Sequence, residues 1–143
     1  MLLGTYQVKF AAGHRIAIPA PLRKDLGETL IIARWYEGCL VLLGRESWEA
    51  LYKRLTGEGN LIITPVRQTE RFVMGAAYEV PVDAQGRIVV PQPLLDYARL
   101  GEEIYLIGLG EKVEIWDKKA WEAKEAEVVK NAAEFIEELG KRK

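Results

Sequence analysis

A single cysteine, Cys39, and a single histidine, His14, stand in a chain of 143 residues. One cysteine excludes an internal disulfide and any multi-thiolate metal site. One histidine excludes a two-histidine zinc motif and leaves a Ser-His-Asp triad only His14 to draw on. No apolar run approaches the roughly 20 residues needed to span a bilayer. Met1–Gly13 has no charged segment leading into an apolar one, so no secretory signal is expected there. An excess of either charge is also missing: 20 Lys+Arg face 21 Asp+Glu, a formal net of −1. That balance excludes a general polycation that coats nucleic acid by charge alone, but not a local basic face. Ser47 has no nucleophile-elbow context, the glycines form no phosphate loop ahead of a helix, and no carboxylate pair stands out as an acid–base set. The expectation is a non-enzyme without metal, cofactor, small-molecule substrate or membrane segment, in a reducing cytoplasmic setting.

What is present is globular. Hydrophobic residues make up 49% of the chain and charged residues 29%, enough for one ordinary domain or two half-size units with a real core. The charge is unevenly spread. Residues 1–72 hold ten Lys/Arg and seven Asp/Glu, a net of +3; residues 73–143 hold ten and fourteen, a net of −4. Much of that acid lies in the C-terminal stretch with a helical pattern.

The chain repeats itself. Shifted by 72, residues 4–26 fall on 76–98 with eight identities in 23 positions, where ordinary usage gives about one or two. Tyr6, Val8, Ala12, Arg15, Ile16, Pro19, Pro21 and Leu22 meet Tyr78, Val80, Ala84, Arg87, Ile88, Pro91, Pro93 and Leu94. The offset then drifts: Leu26-Gly27 matches Leu100-Gly101, and Trp48-Glu49-Ala50 matches Trp121-Glu122-Ala123. Two copies are too few for a solenoid, so they are expected to pack about a pseudo-two-fold axis.

Each copy reads the same way. Alternation marks a strand at Tyr6–Phe10 and Tyr78–Val82, then a turn at Ala11–His14 and Asp83–Gly86, then a strand at Arg15–Ile18 and Arg87–Val90. Pro19 and Pro91 end that strand, Pro21 and Pro93 suit the first turn of a short helix, and Gly27 and Gly101 suit its stop. Strand pairs follow at Thr29–Ala33 with Cys39–Leu43, and at Glu103–Ile107 with Val113–Trp116, joined by turns around Glu37-Gly38 and Gly108–Lys112. A helix closes each copy: Arg45–Leu55, and a run from the N-cap Asp117 to Leu139 with an apolar stripe of Trp121, Val128, Ala132, Ile136 and Leu139. Thr64-Pro65 reads as cap plus first residue of a middle helix ending at Gly75, and Gly57–Asn60 is the one plausible linker. The expected organisation is a first repeat at 1–56, a linker and connecting helix at 57–75, and a second repeat at 76–143.

Asp83-Ala84-Gln85-Gly86-Arg87 is the strongest local feature. Asp accepts from backbone N–H groups two or more residues on, and glycine supplies a positive φ. The following arginine then leaves the turn at a fixed angle. Its planar fork suits phosphate or guanine. Elsewhere, Tyr6 and Tyr78 are expected as core or interface aromatics and Trp48 and Trp121 as packing anchors. Trp35-Tyr36 is expected to pack beside a turn, and Cys39 to be a buried, inert small hydrophobe.

Taken together, the doubled order of Tyr-x-Val strand, Asp-x-x-Gly-Arg, Ile-x-x-Pro, short helix, hairpin and Trp-Glu helix resembles the MraZ family. That family is the two-copy bacterial branch of the AbrB-like, swapped-hairpin DNA-binding superfamily. The resemblance runs from Gly4 to about Gly140. It implies an α+β, mainly β fold, an AbrB-like double-split β-barrel built from two tandem ββαββα repeats. It also implies a ring-like homo-oligomer, commonly an octamer, that binds double-stranded DNA at short promoter direct repeats. Such a regulator represses the division and cell-wall gene cluster, including its own gene, and is nucleoid-associated.

The first copy departs from the motif. Ala11 and His14 stand where the family has Asp and Gly, and Gly13 lies one place early. Either His14 takes a left-handed conformation, or Gly13 does and the turn changes type. Loss of the carboxylate leaves residues 1–27 with four Lys/Arg and one acid. Arg15 and Arg87 are therefore expected to read DNA, with Lys9, Arg23 and Lys24 on phosphate and His14 as a further phosphate contact or a tolerated turn residue. Asp83, Gly86 and Gly13 are expected to form the turns. The altered first turn and acidic second half leave a rival: an antitoxin-like or DNA-binding-impaired protein-interaction module on the same fold.

Overall fold

The computed structural model describes residues 1–57 and 62–141. Its chain order is β1 (Leu2–Lys9), β2 (Arg15–Ala17), α1 (Ala20–Leu26), β3 (Thr29–Arg34), β4 (Leu40–Gly44), α2 (Arg45–Thr56) and α3 (Thr64–Val73). There follow β5 (Tyr78–Pro81), β6 (Arg87–Val89), α4 (Gln92–Ala98), β7 (Glu103–Gly110), β8 (Val113–Asp117), α5 (Lys118–Lys130) and α6 (Ala132–Gly140). The fold is α+β and mostly β. The linker expected at Gly57–Asn60 lies, beyond Gly57, outside the described residues.

Six strands form one antiparallel sheet in the order β1-β7-β8-β4-β3-β5, and β2 pairs with β6 in a separate ribbon. Exchanging each strand with its counterpart in the other repeat reverses this order onto itself. The pseudo-two-fold axis therefore passes between β4 and β8 and between β2 and β6. Equivalent residues meet on it: Ile16 pairs with Ile88, and Val41 with Glu114. Neither N-terminal hairpin closes on itself. β1 crosses to pair with β7 of the second repeat, and β5 crosses to β3 of the first. Only the bridge from Ala11 to Arg15 and its equivalent hydrogen bond, Asp83 N–H to the Arg87 carbonyl (2.9 Å), tie strand to strand at the tips.

The sheet buries both faces. On the inner face Leu30, Ile32, Leu40, Leu42, Ile104 and Leu106 pack against Ile16 and Ile88 of the ribbon and Leu22 and Leu94 of the short helices. Burying each such side chain contributes about 1.5–3 kcal/mol. On the outer face Ala33, Trp35, Val41, Leu43, Ile107 and Trp116 form a second cluster with Leu51 of α2 and Val73 of α3.

Three local expectations are corrected. Gly27 does end α1 with φ 93°, but α4 ends in Arg99 at φ 51°, and the Gly101 N–H instead donates to Asp117 (2.9 Å). The second repeat carries two extra residues, Arg99 and Leu100, and these close the helix before Gly101 is reached. Thr64 is the first helical residue of α3 rather than its cap, which is Ile63. The C-terminal helix is broken at Asn131, at φ −103° and ψ 8°, into α5 and α6. Of its expected stripe, Trp121 packs against Trp116 at 5.6 Å between ring centroids, whereas Val128, Ile136 and Leu139 are exposed.

Candidate nucleic-acid interface

The two-stranded ribbon presents one face to solvent. Ile16 and Ile88 point inward, so alternation turns Arg15, Ala17, Arg87 and Val89 outward. Arg15 stands opposite Val89 and Arg87 opposite Ala17. The two arginines thus leave from diagonal corners, a spacing of about 7–8 Å at the backbone. A hairpin tip lies at each end.

The second tip is built as its sequence requires. Asp83 Oδ1 accepts from the backbone N–H of Gln85 (2.9 Å) and of Arg87 (2.9 Å), while Oδ2 accepts from Arg87 Nε (3.1 Å). The Arg87 backbone N–H foremost, with the Gln85 N–H and the Arg87 guanidinium, holds the Asp83 carboxyl below the usual carboxylate range against the opposing effect of burial. The Asp83 carbonyl accepts from Gly86 N–H (2.9 Å), with Gly86 at φ 78°. Gly86 is needed twice over. Its φ disfavours a side chain, and any Cβ would run into the guanidinium of Arg23.

The first tip takes neither of the two alternatives alone. Gly13 and His14 are both left-handed, at φ 77° and 56°. With no carboxylate at position 11, Arg15 folds back and donates through Nη1 to the Ala12 carbonyl (3.2 Å). His14 is exposed and bears left-handed strain of about 1–2 kcal/mol.

The strand exchange decides which helix underlies which tip. Ile18 N–H donates to the Gly86 carbonyl (2.9 Å), and Val90 N–H to the His14 carbonyl (3.0 Å). A cleft of about 720 Å³ therefore runs between the second tip and the first repeat's Arg23, Lys24 and Glu28. Its pseudo-symmetric counterpart, about 590 Å³, joins the first tip to Leu95, Asp96, Arg99 and Glu102. Arg23 and Lys24 are thus replaced across the axis by Leu95 and Asp96.

Sequence proximity groups Arg23 and Lys24 with Arg15; the fold sets them beneath the tip that carries Arg87. Arg23 is anchored there by a bond from Nη1 to the Ile18 carbonyl (3.2 Å). Lys9, exposed on β1, stands beside the first tip and across from Glu103, which also meets Lys118 (3.4 Å). The candidates fall into two groups: Arg87, Asp83, Gly86, Arg23 and Lys24 at one end, Arg15, Gly13, His14 and Lys9 at the other. Gln85, exposed at the second tip, joins the first group; only its place between Asp83 and Gly86 signals it in the sequence.

The remaining candidates are structural. Cys39 is fully buried, its Sγ donates to the Tyr36 carbonyl (3.3 Å), and burial, with Glu114 and Glu37 nearby, pushes its thiol well up. Trp35 is buried with Tyr36 against it at 4.6 Å, and Trp48 packs on the outer-face cluster. Among the described residues no three His, Cys, Asp or Glu side chains gather as metal ligands, and no helix is long and apolar enough to cross a membrane.

A family model described as "MraZ protein, putative antitoxin-like" matches residues 1–70 and again 73–141. The transcriptional regulator MraZ of Acetivibrio thermocellus is 37% identical over 141 residues, covering 97% of this chain and 96% of that protein. Its namesake in Clostridium acetobutylicum is 38% identical over 144 residues, covering 98% and 99%. That of Bifidobacterium longum is 35% identical over 141 residues, covering 97% and 92%.

Proposed function

The chain belongs to the MraZ family, whose curated relatives are transcriptional regulators and not enzymes, and from that premise we propose that it is a sequence-specific DNA-binding regulator. It acts as an oligomer on short promoter direct repeats and represses the division and cell-wall gene cluster from the nucleoid. Its two repeats, 1–56 and 76–143 joined through 57–75, form one reading surface: the outer face of the β2/β6 ribbon with its tips.

One observation carries this reading: the strand exchange brings the intact Asp83–Arg87 turn over Arg23 and Lys24. Asp83 occupies Nε of Arg87 and leaves its two terminal nitrogens uncommitted among the described residues. A guanidinium held in that way suits the O6 and N7 edge of guanine, or a phosphate, in bidentate fashion. Arg23 and Lys24 contact phosphate and set register rather than sequence, and Gln85 offers its amide to an adenine edge. Arg15, Lys9 and His14 make the weaker contacts of the first tip. One chain offers few contacts, so repeats of the site around an oligomer supply affinity through effective concentration.

The test is binding of fluorescently labelled DNA from upstream of the chain's own gene across a salt series. Each phosphate neutralised contributes about −0.9 to the log–log slope. Three or more such contacts per engaged tip pair should therefore give a steep dependence despite the net charge of −1. A second reading, the antitoxin-like or DNA-binding-impaired interaction module, is favoured by the first tip lying over Leu95 and Asp96 where the second lies over Arg23 and Lys24. Binding that is absent, or indifferent to both sequence and salt, selects it.

A further inference from the structure

The two short helices end in equivalent places on different residues. α1 closes on Gly27, at φ 93°. α4 closes on Arg99, at φ 51°, where a side chain is disfavoured and glycine is the usual choice. The hydrogen bonds of that closure are regular. The Arg99 N–H donates to the Asp96 carbonyl (3.2 Å) and the Leu100 N–H to the Leu95 carbonyl (3.1 Å), the paired bonds of a Schellman end. Nothing in this backbone requires an arginine. The negative end of a helix does favour a cation, but α1 places its own, Arg23 and Lys24, in the last turn with no positive φ. A strained residue that the helix does not need directs attention to its side chain.

That side chain is exposed and uncommitted. Among the described residues Arg99 forms no ion pair and donates no side-chain hydrogen bond, although Asp96 and Glu102 share one cleft with it and Glu37 and Asp117 another. Three of these acids are engaged elsewhere. Asp96 accepts from Gln92 Nε2 (2.8 Å), Glu37 from Lys124 Nζ (2.8 Å), and Asp117 from the backbone N–H groups of Gly101 (2.9 Å) and Lys119 (3.2 Å). The cleft shared with Asp96 is the pseudo-symmetric counterpart of the one that holds Arg23 and Lys24 beneath the second tip, and His14 of the first tip lines it. Leu95 and Asp96 stand at the positions of Arg23 and Lys24, so that helix surface lacks both cations. Arg99, three residues beyond Asp96, is the cation that this helix end does offer.

We infer that Arg99 is a phosphate contact of the first tip: it grips the DNA backbone at the end of the ribbon opposite Arg23 and Lys24, from a backbone position that costs the helix stability. This role rests on the DNA-binding reading and adds to it a residue held by the opposite repeat. A guanidinium suits a phosphate, being planar, always charged and able to present two N–H groups at once. The contact carries no base information, so it strengthens the hold of the first tip without making that tip a reader of sequence.

The experiment is fluorescence anisotropy of labelled DNA from upstream of the chain's own gene across a salt series, with thermal melting of the same samples, for the full chain, Arg99→Gly and Arg99→Lys. Arg99→Gly is expected to melt higher, because glycine relieves the left-handed position. It is also expected to bind more weakly, roughly five- to tenfold in about 0.1 M salt, with a log–log slope shallower by about 0.9. Its preference among altered bases is expected to be unchanged. Arg99→Lys keeps both the charge and the left-handed backbone, so it is expected to keep the slope and the melting temperature of the wild type. The opposite signs in Arg99→Gly separate the possible roles. A residue kept for the helix would lower the melting temperature when replaced, and a spectator would leave the slope alone. Either result overturns the inference, as does an Arg99→Lys that loses the slope. A wild type and an Arg99→Gly that bind upstream DNA equally steeply sink this contact and leave the DNA reading standing. A wild type with no salt-dependent binding sinks the DNA reading, and this contact with it.

Discussion

The two hairpin tips occupy equivalent places in a nearly symmetric molecule and differ in almost every chemical respect. The second has a carboxylate that organises its own turn and its arginine, a glycine where φ is positive, and Arg23 and Lys24 beneath it. The first has no carboxylate, a histidine in the left-handed region, an arginine turned back on its own loop, and Leu95, Asp96 and Arg99 beneath it. The difference teaches that in a strand-exchanged fold a site is not owned by the repeat that carries its motif. The basic residues next to the altered motif lie beneath the intact one. Beneath the first tip the opposite repeat's helix end supplies Arg99 beside Asp96 and Glu102 instead.

The comparison can be broken from below, at the axis both tips share. Ile16 and Ile88 meet on it, fully buried. Replacing either with Ala should cost about 2–5 kcal/mol in chemical denaturation, by lost burial and the cavity left behind. The two costs should be similar, because the core is symmetric where the tips are not. A near-neutral Ile16→Ala beside a costly Ile88→Ala would show that the ribbon is held from one side only.

Next in size are the turns. Gly86→Ala forces a side chain into a left-handed position, at about 1–2 kcal/mol, and displaces Arg23 from the tip. Both stability and DNA affinity should fall. At the equivalent first-tip position the stability sign reverses: His14→Gly removes strain and should raise the melting temperature slightly while lowering DNA affinity a little, by the loss of one weak contact. The smallest effect is with acid. Asp83 titrates below its ordinary value in the folded chain, so its contribution is complete above about pH 4. It is lost as pH falls through the lowered folded value. The acid limb of the stability curve should therefore shift in Asp83→Asn, and an Ala11→Ser change at the first tip should leave it unmoved.

Much of this was legible in residues alone. The 72-residue shift located both ribbon strands, both tips and both short helices, because hairpin and helix signals such as Pro19, Pro91 and Asp117 act locally. The pairing of β1 with β7 was not legible. Alternation in Tyr6–Phe10 says which face is buried and nothing of which strand lies beside it, and the location of Arg23 and Lys24 depends on that pairing. The break at Asn131 was hidden because the apolar stripe continues across it. The exposure of Ile136 and Leu139 was hidden because a stripe reads the same whether or not anything covers it. His14 shows the limit of turn chemistry: the sequence offered it or Gly13 as the left-handed residue, and the chain uses both.

The central claim is the inequality of the tips, and the most direct measurement is the affinity of upstream promoter DNA for Arg87→Ala and Arg15→Ala, compared at one salt concentration. Arg87→Ala is expected to lose about 1–3 kcal/mol, roughly 5- to 150-fold, together with discrimination against altered bases. Arg15→Ala should lose less, and alike on all sequences. Equal losses of affinity and specificity in the two variants, or no loss in either, would contradict it.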